Sequence, residues 1–167
     1  MDNEGLDHLG TYLNDHLAGS VIALDLLERL EASHDEPELK SFFRQLHGDV
    51  AADREKLEKL MAGLNLDESK MRKASGWLSE KFTELKLRFD DPRGGSLRLF
   101  EALELLSLGI EGKRTLWLTL AALAPSSPVL QILNYEQMAE RAQKQRDRVE
   151  ELRIEIAEKA LAPKQSD

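Results

Sequence analysis

Two stretches decide how this chain folds: YLNDHLAGSVIALDLLERL at residues 12–30 and FFRQLHGDVAADREKLEKLMAGL at residues 42–64. In the first, apolar residues recur at helical spacing, at Leu6, Leu9, Leu13, Leu17, Val21, Leu24, Leu27 and Leu30. In the second, the seam is Leu39, Phe43, Leu46, Val50, Asp53, Leu57, Leu60 and Leu64. Steps of three and four hold throughout, and Asp53 is its one polar member. Between the two lies SHDEP, where Asp35 is a good N-cap and Pro37 suits a first helical turn. The pattern predicts helices over about 6–32 and 37–64. The loop joining them is short, so they should form an antiparallel hairpin.

Outward from that hairpin, Asp67 is placed to cap a third helix over about 68–89, with a stripe of Met71, Ala74, Leu78, Phe82 and Leu85. DDPRGGS at 90–96 reads as a linker. A fourth helix should run from about 97 to 124, where APSSP stops it, and VLQIL has room for a short helical turn. Asn134 followed by Gln137 makes an N-cap pattern for a fifth helix over about 135–161. Its seam is Tyr135, Met138, Ala142, Gln145, Val149, Leu152 and Ile156, and residues 162–167 form a tail. No alternating strand pattern occurs. Four segments of roughly 27 residues would each span about 40 Å. The expected fold is all-α and a single domain over 1–167. The connection between the hairpins is long enough for the second and fourth helices to run parallel. That gives an up-down-down-up four-helix bundle with a long helical crossover, the arrangement of ferritin-like folds.

Composition narrows the function classes. The chain has 167 residues, 41% hydrophobic and 32% charged, with a net charge of −8 and no cysteine. Disulfides and thiolate metal sites are therefore excluded. An acidic balance without a basic cluster argues against nucleic acid and anionic membrane surfaces as partners. The longest apolar run, at 116–124, is far short of a membrane span. The acidic start MDNEGLDHLG has no apolar signal core, so the cytoplasm is the expected compartment.

The hairpin quoted above, with the order and length of the helices over about 6–161, resembles the rubrerythrin-like branch of the ferritin-like superfamily. The chain also resembles a bacterial group with a YLNDHLAG-type start, a later EGKRTLW-type segment and degenerate di-iron ligands. Di-iron members place one Glu on one helix of each hairpin and Glu-x-x-His on the other, so that two metals share one carboxylate cage. Here the corresponding mid-seam pairs are Val50 with Asp53 and Ala142 with Gln145, and the first helix offers Gly19 and Ser20. Only Glu111 keeps a candidate carboxylate, and Arg114 follows it three residues later. The resemblance thus implies a bundle whose di-iron set is incomplete. A displaced metal site is the alternative, drawn from His16, Asp49, Asp53 and Glu111, with iron, manganese or zinc as the ion.

One stretch, LGIEGKRTLW at 108–117, carries charge into the most apolar helix. Aligning the seams brings Ser20, Asp53, Arg114 and Gln145 to one height. The expectation is a polar core layer in which Asp53 pairs with Arg114, Glu111 takes a second edge of the guanidinium, and Gln145 and Ser20 satisfy what remains. Lys113 would face solvent. Gly19 and Gly112 flank the layer, as if to let helices approach closely. The functional expectation is a non-enzymatic interaction or stress-associated module with no cofactor, acting on a protein partner or as a homodimer. The alternatives are a metal-binding oxidoreductase with a degenerate site, and a small-molecule binder with a pocket beside His16 and Tyr12.

Overall fold

The structure, a computed structural model, describes residues 3–64, 66 and 95–162. The expected crossover helix at about 68–89, most of the 90–96 linker and nearly all of the 162–167 tail lie outside the described residues. Among the described residues there are four long helices and no strand: α1 Asn3–Ser33, α2 Pro37–Gly63, α3 Gly95–Leu123 and α4 Tyr135–Leu161. Two short 3-10 turns, Ala124–Ser126 and Pro128–Leu130, connect α3 to α4. No described helix is long and apolar enough to cross a membrane.

The helix ends follow local chemistry. Asn134 caps α4 as its sequence pattern predicts, its side-chain oxygen accepting from the Gln137 N–H at 3.0 Å. At α2 the expectation needs correcting. The cap position belongs to Glu36, in extended backbone without a side-chain cap, and Pro37 opens the helix. Asp35 instead stands 3.5 Å from the Lys40 ammonium. Helix α3 begins within the expected linker, where Gly95 adopts φ +50°, a conformation that costs glycine little because it has no Cβ.

Cross-helix contacts give each hairpin its direction. Arg44 pairs with Glu31 at 2.6 Å, and one turn further on α2 His47 meets Glu28 at 3.3 Å, so α1 and α2 run antiparallel. Ser96 at the start of α3 donates to the Lys159 carbonyl near the end of α4. At the opposite end Trp117 stacks on Tyr135 with ring centroids 6.3 Å apart. Helices α3 and α4 are therefore antiparallel as well. The Tyr135 hydroxyl donates to the Leu130 carbonyl at 2.6 Å, which pins the α3–α4 turn to the core. Leu13, Leu27, Phe43, Leu46 and Leu60 of the first hairpin are fully buried, as are Leu103, Leu116, Leu120 and Val149 of the second.

One seam residue is misplaced by the periodicity. Val21 is 42% exposed, while Leu26, absent from the expected stripe, is buried. Midway along α1 the inward positions are Ser20, Ile22 and Ala23, and they line a cavity rather than a packed core. The two faces should respond differently to truncation. Leu27→Ala should cost about 2–5 kcal/mol in urea unfolding, the usual range for a buried leucine. Val21→Ala should stay within about 0.5 kcal/mol of the parent.

Candidate functional site

The centre of the molecule holds an ion pair that draws on three helices. Asp53 of α2 is 2% exposed, and so is Gln145 of α4. Lys113 reaches them from α3 with its side chain 16% exposed. Its ammonium donates to Asp53 Oδ2 at 2.7 Å and to the Gln145 side-chain oxygen. The Gln145 amide in turn donates to the same Asp53 oxygen at 3.0 Å. Each of the three groups contacts the other two, so the triangle closes on itself.

Around it stand further charges. Arg141 Nε lies 3.2 Å from Asp53 Oδ1, close enough for charge pairing. That oxygen nevertheless has no aligned hydrogen bond among the described residues. Two α4 turns apart, Arg141 and Arg148 clamp Asp49 at 3.3 and 3.1 Å. On α2, Asp49 and Asp53 are four residues apart and so share a face. On α4, Arg141, Gln145 and Arg148 do the same. The α2–α4 contact is thus a polar column, whereas α1–α2 and α3–α4 meet through leucines. Burial holds the Lys113 ammonium below the usual lysine range, and the neighbouring Asp53 carboxylate pulls it back toward the charged form. A buried charge without a partner would cost several kcal/mol.

Of the expected layer, Asp53 and Gln145 are brought together at the centre. Arg114 is not: its guanidinium bonds both oxygens of Glu111 on its own helix, at 3.0 and 2.7 Å, and both side chains remain about a third exposed. Opposite charges three residues apart on one helix face satisfy each other locally, so neither needs the core. Arg146 adds a second cation 3.7 Å from Glu111. Lys113, expected in solvent, is the residue that enters. Ser20 stays outside the triangle, its hydroxyl bonded back to the Leu17 carbonyl.

The alternative metal set is not brought together. Among the described residues no group of three or more His, Asp or Glu could hold a metal ion. Asp49 is held by two arginines, Glu111 by Arg114 and Arg146, and Asp53 by Lys113. On Asp53 one oxygen takes the Lys113 ammonium at 2.7 Å, and Arg141 stands 3.2 Å from the other. His16 packs edge-on against Tyr12, with ring centroids 4.7 Å apart. Burial lowers its pKa, opposed by the nearby Asp15. His47 is taken up by Glu28.

Beside the triangle lies a cavity of about 330 Å³ between α1, α2 and α3. Asp53 and Lys113 form its polar end, His16 and Asp15 stand on the α1 side, and leucines and isoleucines make the walls. Gly19 of α1 and Gly109 and Gly112 of α3 line it too. A Cβ built on any of the three meets no described residue within 4 Å. The expected close helix approach at Gly19 and Gly112 is thus replaced by open space. Close approach does occur at Gly10, where a Cβ would come within 3.2 Å of Leu66.

Fold and site together define an all-α bundle with a buried salt bridge at its centre. Comparison of the chain with protein-family models, with curated proteins and with solved structures finds no match.

The exchange of roles between neighbouring residues can be measured. Lys113→Met should destabilise the protein by about 3–5 kcal/mol, because it strands a buried carboxylate. Arg114→Met should leave the urea midpoint nearly unchanged.

Proposed function

We propose that this chain is a ferritin-like bundle that acts by binding rather than by catalysis, with an ion pair in the central layer where di-iron proteins hold metals. The observation that carries the reading is Lys113, whose ammonium bonds Asp53 and Gln145 at the middle of three helices. Gln145 and Asp53 stand at the seam positions where the resemblance calls for Glu-x-x-His.

The proposed topology is up-down-down-up, with a helical crossover between α2 and α3. Three sets of contacts support it. Both hairpins are antiparallel. Along α2, Asp49, Asp53 and Lys56 meet Arg148, Gln145 and Met138 in reverse order on α4. Helix α4 therefore opposes both α2 and α3, which leaves α2 and α3 pointing the same way. A parallel pair needs a long connection, and residues 64–94 lie between the two helices.

The partner in this reading is a protein, either a second copy of the chain or another. Leu97, Leu108 and Leu118 of α3 are exposed, Leu108 to 67%. Leu97 and Leu108 lie about three helical turns apart and share one outward face that supplies apolar contact area, while Leu118 is turned about 80° from Leu108.

Metal analysis of the full chain purified without chelators tests the central point. Iron, manganese and zinc should each be far below one per chain. A stoichiometric amount of any of them would contradict the proposal and favour a metal-binding oxidoreductase with a displaced site.

A further inference from the structure

We infer that the cavity between α1, α2 and α3 is a binding site for an aliphatic carboxylate of medium chain length, its acid group against Lys113 and Trp117 and its hydrocarbon tail among the leucines. This inference uses only the cavity and does not depend on the ferritin-like reading.

Size and wall chemistry come first. At about 330 Å³ the space lies near the lower end of the range typical of small-molecule pockets, about 300–1,000 Å³. Ile22, Leu26, Leu57, Ile110 and Leu116 are among its lining residues, so most of what an occupant touches is hydrocarbon. Three glycines sit in helix interiors along these walls, and none is required by a neighbouring side chain. Glycine in a helix interior is destabilising relative to alanine. Gly112 is half-buried and its missing side chain leaves volume at the wall, while Gly19 and Gly109 are exposed at the rim.

The polar end selects the head group. Lysine has three ammonium protons, and Lys113 spends two of them on Asp53 and Gln145. Trp117 lines the same cavity, is 1% exposed, and its indole N–H has no hydrogen-bond partner among the described residues. Lys113 and Trp117 are four residues apart on α3 and therefore neighbours on one helix face. Two donors one turn apart suit a group with two acceptor oxygens. The charged lining is balanced, Lys113 and Arg54 against Asp15 and Asp53, so the choice of head group rests on the two donors.

The test is a titration of the full chain with sodium decanoate below its micelle concentration. A Trp77→Phe background leaves Trp117 as the sole indole. Decanoate should give a saturable, single-site shift of the Trp117 indole N–H resonance. Decyltrimethylammonium, with the same tail and the opposite charge, should give none. Gly112→Leu at the wall and Gly19→Leu at the rim should each weaken decanoate binding by about tenfold or more. Both replace a mid-helix glycine, so their melting temperatures should not fall, which separates lost binding from lost fold. Absence of a saturable shift with decanoate would overturn the inference. Equal binding of the ammonium analogue would do the same, as would two folded leucine variants that bind like the parent.

Discussion

The Lys113–Asp53 contact is the constraint around which the rest of the bundle is arranged. It lies between α2 and α3, and Gln145 ties it to α4, so three helices share one height along the bundle. A leucine seam alone allows one helix to slide past another by a turn, because the leucines of successive turns are nearly equivalent. A buried ammonium has no such equivalent position, since any slip would leave it and Asp53 without partners inside a low-dielectric core. A pair of this kind need not add net stability over a well-packed apolar trio. Its consequence is a single alignment of the helices.

That alignment has a second effect. The polar column of Asp49, Asp53, Arg141, Gln145 and Arg148 keeps α2 and α4 together through charge, while α1 stays on the far side of the cavity. Mid-helix residues of α1 are half-buried where those at its ends are fully packed. The cavity is thus a product of the same geometry that places the ion pair, with its polar end formed by two members of that pair. Stability resides in the leucine-rich contacts within each hairpin, and the space for a ligand lies between the hairpins.

Much of this was legible in the sequence. The start of α4 follows from Asn134 and Gln137, and the two hairpins from loop length and apolar spacing. Asp53 and Gln145 stand out because each is a lone polar residue in an otherwise apolar stripe. Lys113 and Arg114 exchange their expected roles because α3 is apolar on nearly every side. With Leu103, Leu105, Leu106, Leu108 and Ile110 all in one stretch, periodicity does not say which face turns inward, and one residue is about 100° of rotation. The Glu111–Arg114 spacing was the available clue, since a pair that closes on its own helix has no need of the core. Val21 failed for the same reason, in a run where Val21, Ile22, Ala23 and Leu24 offer several equivalent faces. The cavity was hardest to anticipate: three helical glycines fit close packing and open space equally well, and only the positions of the other helices distinguish them.

The most direct measurement is a pair of double-mutant cycles in urea unfolding, one between Asp53 and Lys113 and one between Asp53 and Arg114. The account predicts a coupling of about 1.5 kcal/mol or more for the first, within the range measured for close charge pairs, and additive effects for the second. Additivity at Asp53 and Lys113, with coupling at Asp53 and Arg114 instead, would contradict it.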